Sequence, residues 1–219
     1  VMLLIGSCSE YQQVLKNEDT KAKYDMAEKY YNAGDFKRAL RLFEQIAPKY
    51  VGKPQGERVM YFLANSYYKQ EDYSTATYQF ERFVKSYPKS EKLAEASFLV
   101  AKSTYRLSPR YSLDQTDTDK ALSKLQTFIN SYSESEFFAE ANIMAQELTQ
   151  KKEMKAYEIA KQFNKLGKFD FTFLTPAITA FDNFLSDFPG SVYREEAMFY
   201  RFQSASELGL NSLDRLKEE

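Results

Sequence analysis

Histidine and tryptophan are absent from this sequence of 219 residues, and cysteine occurs once. Without histidine the chain cannot form a serine–histidine–aspartate triad, a cysteine–histidine pair or a zinc site with imidazole ligands. A single cysteine excludes an internal disulfide bond and a Cys-x-x-Cys redox site. Seven glycines and six prolines are too few for a chain rich in tight turns. We therefore expect an all-α protein.

Charge of neither sign is in excess, because 30 Lys and Arg residues face 31 Asp and Glu residues. This balance argues against nucleic acid as a partner, since nucleic-acid binding depends on a clustered basic excess. Carboxylate pairs such as Glu91 with Glu95 resemble the acid and base of a glycosidase, but exposed helices commonly carry such pairs. We predict no enzymatic activity, no catalytic residue, no cofactor and no metal site. A wall-cleaving enzyme is the remote alternative.

The chain begins with a short apolar run that ends in small residues and the one cysteine, Cys8. Such a run is too short to span a bilayer and is typical of the end of a signal peptide. We interpret residues 1–8 as the residual signal peptide of a lipoprotein, Cys8 as the site of lipid attachment, and residues 9–20 as a polar tether. The alternative is an ordinary free or buried cysteine. Acyl chains such as palmitate would anchor the protein in a membrane, since each buried methylene contributes ~0.8 kcal/mol.

A repeat of 37 residues runs through the first half of the chain. It separates Ala27, Ala64 and Ala101, and also Ala39 and Ala76. A second signature has apolar residues four and seven positions after an alanine and an aromatic residue after eleven. These steps place the apolar side chains on one helical face, and such a period is typical of stacked helical hairpins. The second signature occurs at Ala39-Phe43-Ile46-Tyr50, Ala76-Phe80-Phe83-Tyr87, Ala121-Leu125-Phe128-Tyr132 and Ala177-Phe181-Phe184-Phe188.

The repeat predicts an all-α, tetratricopeptide-like superhelix of about five helical hairpins. Alanine fits where two helices approach closely, and aromatic side chains fill the space between hairpins. We assign residues 21–132 to N-terminal repeats 1–3 and residues 133–219 to C-terminal repeats 4–5. The spacing lengthens in the later repeats. We therefore expect extra loop residues at 108–118, an insertion at 170–174, an unusually long helix between them, and a tenth helix that begins near Asn211.

The N-terminal segment and the repeats together resemble a known family. Ile5-Gly6-Ser7-Cys8 resembles the lipobox of bacterial lipoproteins, and a lipobox followed by these repeats is similar to the BamD (YfiO) family of outer-membrane barrel-assembly lipoproteins. The segment Ser108–Thr116 resembles that family's extended turn in the third hairpin. The resemblance implies a non-catalytic, lipid-anchored adaptor at the outer membrane, facing the periplasm. An aspartate directly after the cysteine would resemble an inner-membrane retention signal. This chain has Ser9 at that position, which also favours the outer membrane.

The resemblance also implies partners. Family members bind a POTRA domain of the barrel-forming outer-membrane assembly protein through their C-terminal repeats, and their N-terminal repeats receive unfolded outer-membrane barrel proteins. Other assembly lipoproteins are further partners. On this chain the resemblance implies partner-binding residues at Asn164, Lys165 and Phe169. The alternative function is a lipid-anchored tetratricopeptide scaffold that recruits cell-wall enzymes.

Inner-face positions of the first two hairpins are predicted to form a groove for a substrate peptide. Tyrosine suits an extended peptide, because its ring gives rigid contact area and a hydroxyl at little entropic cost. Lys21, Arg58 or Lys69 could bind a terminal carboxylate. The alternative is that the tyrosines only pack between hairpins. The predicted groove residues are Tyr24, Tyr31, Tyr61, Asn65, Tyr68 and Lys69.

Overall fold

The computed structural model describes the backbone of residues 5–218 and the side chains of residues 10–212. The regular structure of this part is entirely helical, with a short 3-10 helix at Phe171–Phe173. The predicted all-α fold is therefore confirmed. The α-helices are α1 Ile5–Lys16, α2 Thr20–Asn32, α3 Phe36–Tyr50, α4 Gly56–Lys69, α5 Tyr73–Ser86, α6 Leu93–Leu107, α7 Thr116–Ser131, α8 Phe138–Gly167, α9 Leu174–Asp187 and α10 Arg194–Glu218.

Helix α1 packs on the first hairpin through Tyr11, whose side chain is only 3% exposed. The Tyr11 ring meets the ring of Tyr30 edge-on, with 5.3 Å between the ring centroids. Val14 and Leu15 pack on the same cluster, because residues three and four positions apart share a helical face. The segment 9–20, predicted as a polar tether, is thus mostly helical in the structure. Burial of Tyr11, with Val14 and Leu15 partly buried beside it, stabilises this helix against the hairpin.

Consecutive helices pair as hairpins, with α2 against α3, α4 against α5 and α6 against α7. In the first two turns, the side chains of Asp35 and Asp72 each accept a hydrogen bond from a backbone amide of the helix that follows. The residues just before them, Gly34 and Glu71, have φ angles of 79° and 62°. That left-handed region favours glycine, because a Cβ atom crowds the backbone there. The two turns share one conformation, with glycine in one and glutamate in the other.

The repeated alanines lie where paired helices touch. Ala64 packs with Ala76 and the rings of Phe80 and Phe83 in the core of the second hairpin. A larger side chain at this point would push the two helices apart, so alanine sets the close approach. The alanines at the repeat positions, each 0% exposed, are Ala27, Ala39, Ala64, Ala76 and Ala101.

The described part of the chain forms two compact units, one of residues 5–108 with 116–145 and one of residues 109–115 with 146–218. The boundary that we predict between residues 132 and 133 falls earlier, just after α7. In the second unit the ring of Tyr157 lies 5.7 Å from that of Phe184 and 4.6 Å from that of Tyr193. Helices α8, α9 and α10 therefore share one core in this unit.

The later repeats contain two helices of unusual length. Helix α8 has 30 residues, so the long helix predicted between the two insertions is confirmed. Helix α10 runs without a break to Glu218, and the prediction of a separate helix that begins near Asn211 is wrong. No proline interrupts this segment, and a lone Gly209 costs only about 1 kcal/mol in a helix interior, too little to end the helix.

Candidate functional site

A surface groove of about 510 Å³ is lined by residues of helices α2, α4, α5 and α6 and of the adjoining loops in the first unit. It brings together three of the six residues predicted to bind a substrate peptide, Tyr31, Tyr61 and Asn65. We call this surface the tyrosine groove. Its other lining residues include Arg58, Phe62, Lys92 and Glu95.

The Tyr31 side chain of the tyrosine groove is held by aromatic contacts and a hydrogen bond. Its ring stacks on that of Phe62, with 4.0 Å between the centroids, and meets the ring of Phe36 edge-on at 5.4 Å. The side-chain amide nitrogen of Asn65 donates a hydrogen bond to the Tyr31 hydroxyl oxygen. Burial raises the pKa of Tyr31, although this hydrogen bond opposes the rise. The hydroxyl therefore keeps its proton at neutral pH.

Tyr61 lies at the floor of the tyrosine groove and is 7% exposed. Its hydroxyl donates a hydrogen bond of 2.6 Å to Oε1 of Glu95, while Nζ of Lys92 donates one of 2.8 Å to Oε2. Burial and the Glu95 carboxylate both raise the pKa of Tyr61. Burial tends to raise the pKa of Glu95 too, but the hydrogen bonds from Lys92 and Tyr61 outweigh it, so that pKa is lowered. The floor of the groove is thus a neutral phenol and an ionised carboxylate.

Two cations lie over aromatic rings at the tyrosine groove. Nζ of Lys92 is 5.6 Å from the centroid of the Tyr61 ring, and the Arg58 guanidinium is 5.1 Å from that of Phe62. Arg58 also pairs with the Glu28 carboxylate. Of the three cations that we predict could bind a terminal carboxylate, Arg58 lines this groove, whereas Lys21 and Lys69 do not.

The other predicted groove residues lie apart from it. The ring of Tyr24 stacks on that of Tyr50 at 5.6 Å, and the ring of Tyr68 meets that of Tyr73 edge-on at 5.5 Å. Lys69 is exposed at the end of α4. For Tyr24 and Tyr68, contact with an aromatic neighbour agrees with the packing alternative.

The inner-face pattern did not include several groove residues, among them Glu95 and Lys92, which supply the hydrogen bonds at the floor. The sequence spacing of the repeat could have predicted the position of Glu95. Tyr61 and Glu95 are 34 residues apart in sequence, and so are Tyr31 and Asn65, the other hydrogen-bonded pair of the groove. Both hydrogen bonds join the first helices of successive hairpins, so the offset of one pair predicts the other.

The predicted partner-binding residues of the second unit are divided between its interior and its surface. Asn164 is 2% exposed, and its Nδ2 donates a hydrogen bond of 2.9 Å to Oγ of Ser204 in α10. Its side chain therefore joins α8 to α10 inside the unit and is not presented at the surface. Lys165 is exposed, and Phe169 is 92% exposed.

A shallow surface pocket lies beside Lys165 in the second unit. It is formed by one side of α8 and the loop that carries Tyr111, and it also contains Lys155 and Ile159. Nζ of Lys155 donates a hydrogen bond of 2.6 Å to the Leu113 carbonyl oxygen. We use the name α8 surface for the pocket residues Tyr111, Lys155, Ile159 and Lys165 together with the exposed Phe169, which follows the end of α8.

The loop beside the α8 surface is held in place from within. The side-chain amide of Gln115, which is 7% exposed, donates hydrogen bonds of 3.0 Å to the carbonyl oxygens of Arg110 and Leu113. Buried hydrogen bonds of this kind fix a loop conformation, because breaking them would leave polar groups unsatisfied. The segment Ser108–Thr116, which resembles the extended turn of the family's third hairpin, is therefore an ordered part of the surface.

The side chain of Cys8, the predicted lipid attachment site, lies outside the described residues. No helix within residues 5–218 has the length and apolar character needed to cross a bilayer. Among the side chains of residues 10–212, acidic residues form no group of three that could hold a metal ion.

Comparison with known proteins identifies one family whose profile matches this chain. The profile of the YfiO family, described as outer membrane lipoprotein, matches residues 16–219. No curated protein matches the chain in sequence. Among solved structures, the chain is similar to a kinesin light chain with nearly identical TPR-like repeats from Podosopora anserina, at 13% identity and a TM-score of 0.39, with 92% of this chain and 94% of that chain covered.

Proposed function

This chain belongs to the YfiO family of outer membrane lipoproteins, and on that premise we propose that it is a non-catalytic adaptor of the outer-membrane β-barrel assembly machine. The adaptor is anchored by a lipid on Cys8 and faces the periplasm. Its first unit binds segments of unfolded barrel proteins. Its second unit binds a POTRA domain of the barrel-forming assembly protein, and other assembly lipoproteins join the same complex.

The tyrosine groove is the observation that carries the substrate-binding part of this proposal. Tyr31, Phe62 and the Tyr61–Glu95 pair offer aromatic surface beside hydrogen-bonding groups, which suits segments of alternating apolar and polar residues. The aromatic rings are fixed by their neighbours, so a ligand need not order them on binding. Tyr61 contributes mainly as the floor of the groove because it is already buried.

The α8 surface supports the partner-binding part of the proposal. Ile159, which lines the pocket on α8, is 42% exposed, and Phe169, two residues beyond the end of α8, is almost fully exposed. Exposed apolar groups rimmed by polar residues are typical of protein interaction sites. Lys155 and Lys165 add two positive charges against the one negative charge of Glu158 in the same pocket, so the surface suits a partner that presents apolar groups and an acidic group. Asn164 supports this surface from within, by holding α8 against α10.

Chemical crosslinking in membranes followed by purification of the adaptor tests the proposal. We expect a POTRA-bearing barrel protein to be recovered with the unaltered chain and to be lost with the double variant Lys165→Glu and Phe169→Ala. The matched control is Lys89→Glu, an exposed charge reversal in the first unit. Recovery of cell-wall enzymes in place of a barrel protein would contradict the proposal and favour a scaffold for wall metabolism.

A further inference from the structure

Asn65 has hydrogen-bonding capacity left over in the tyrosine groove. A carboxamide offers two N–H donors on its nitrogen and a carbonyl oxygen as acceptor. One donor of Asn65 is engaged by the Tyr31 hydroxyl. Among the side chains of residues 10–212, no other group is hydrogen-bonded to Asn65, which is half-buried in the lining of the groove. One N–H and the carbonyl oxygen are therefore available to a ligand.

The position of this amide is fixed before a ligand arrives. The Tyr31 ring is stacked on Phe62 and lies against the edges of Phe36 and Phe43, with 6.3 Å between the Tyr31 and Phe43 centroids. The Tyr31 hydroxyl therefore has little freedom, and its hydrogen bond restrains the Asn65 amide in turn. A polar group that is already ordered costs less conformational entropy on binding than a free surface side chain.

The free N–H and carbonyl oxygen match one particular class of ligand. A peptide group in an extended chain presents a carbonyl oxygen and an N–H, the two complements of the free Asn65 groups. In a helix these groups are already paired within the segment, so a helical ligand could not use them. We propose that Asn65 binds the main chain of an extended polypeptide segment in the tyrosine groove.

This inference rests on the proposed peptide-binding function and assigns a role to one residue within it. A contact with the main chain is the same for every side chain of the ligand. Asn65 therefore lets the tyrosine groove accept segments of different sequence, while Phe62 and the floor at Tyr61 contact apolar side chains. Asn65 acts as a binding residue that selects an extended conformation.

Titration of the full chain with one peptide and a series of its N-methylated counterparts tests the role of Asn65. The probe is a synthetic ten-residue peptide of alternating polar and apolar residues that ends in phenylalanine. Its counterparts carry one N-methylated peptide group each, at successive positions. N-methylation removes a single N–H donor, so at one position it should weaken binding to the unaltered chain about tenfold, the usual effect of one lost hydrogen bond that leaves a group unsatisfied.

The same titrations with Asn65→Leu complete the test. This variant should bind the unmodified peptide about tenfold more weakly, and N-methylation at the critical position should then cause no further loss. The control Asn32→Leu, at an exposed residue outside the groove, should behave like the unaltered chain. The N-methyl series on the unaltered chain stands even if Asn65→Leu does not fold.

Two results would overturn the inference, and they are distinguishable. If every N-methylated peptide binds the unaltered chain as well as the unmodified peptide, or if the critical N-methylation weakens Asn65→Leu equally, Asn65 does not bind the main chain and the proposed function is untouched. If the unaltered chain binds no peptide of the series at all, the proposed peptide-binding function falls, and the inference falls with it.

Discussion

Tyr61 on helix α4 donates a hydrogen bond of 2.6 Å to the Glu95 carboxylate on helix α6. This bond joins the first helices of two successive hairpins, and Asn65 and Tyr31 are joined in the same way one repeat earlier. Polar contacts thus connect the hairpins on the side that carries the tyrosine groove, while aromatic rings connect them in the core. The floor of the groove consequently depends on the ionised state of Glu95.

We expect the contribution of Glu95 to stability to depend on pH. Its folded-state pKa is lowered, so the contribution is fully present above the ordinary carboxyl pKa and is lost as the pH falls through the lower, folded-state value. Glu95→Gln should therefore melt at a lower temperature than the unaltered chain at pH 7, and the difference should shrink by pH 3. Thermal melts at both pH values measure it. Glu91→Gln, at an exposed residue, is the control, and a difference that stays constant with pH would refute the assignment.

Ala64 should not tolerate a larger side chain. Ala64→Leu forces extra methylene groups between α4 and α5, where the alanine is fully buried, and should cost ~1–3 kcal/mol of unfolding free energy. Lys89→Ala, at an exposed residue beyond the end of α5, should leave that free energy within ~0.5 kcal/mol of the original. Urea unfolding of both variants gives the comparison. Equal stability would mean that the alanines do not set the helix spacing.

Glu71 should be replaceable by glycine with a gain in stability. Its φ of 62° is unfavourable for a residue with a Cβ atom, and Gly34 occupies the equivalent turn. The strain energy that glycine relieves at this φ angle exceeds the free-energy cost of its greater freedom in the unfolded chain. Glu71→Gly should therefore gain about 0.5–1 kcal/mol of unfolding free energy. Gly34→Ala should lose about 1 kcal/mol by the same reasoning. Urea midpoints that move in the opposite directions would contradict this account of the two turns.

Replacement of Cys8 should release the protein from the membrane. Cys8→Ser removes the thiol that an acyl group requires, while the docked helix α1 keeps its contact through Tyr11. We expect the variant to appear in the soluble periplasmic fraction or as an uncleaved precursor. Membrane fractionation distinguishes these outcomes from continued, detergent-requiring association after normal maturation, which would disprove the lipid anchor. The circular dichroism of the helices should not change.

The hairpin register could be predicted from sequence because it depends on local spacing. The alanines and aromatic residues at the 37-residue period lie where the period places them, since each hairpin packs mainly on its immediate neighbours. Helix α1 could also have been predicted. Tyr11, Val14 and Leu15 have the spacing of one helical face, a signal that the polar character of the surrounding residues obscures.

The candidate sites were only partly predictable, because they depend on contacts that no local pattern encodes. Tyr24 and Tyr68 share the inner-face pattern with Tyr31, yet each pairs with an aromatic residue away from the groove. Asn164 lies next to the exposed Lys165 in sequence, but its hydrogen bond to Ser204 spans 40 residues. The insertion at 170–174 lies between these two residues in sequence, so a constant period no longer relates one helix to the next.

We propose that the two units bind different ligands, and a crossed titration separates their roles. Purified Asn65→Leu and Phe169→Ala chains are each titrated with a peptide from the C-terminus of a barrel protein and with an isolated POTRA domain. We expect Asn65→Leu to weaken only peptide binding and Phe169→Ala to weaken only POTRA binding, each by roughly tenfold or more where the residue is an anchor of its interface. Loss of both ligands in one correctly folded variant, or of neither ligand in both variants, would disprove this division of roles between the units.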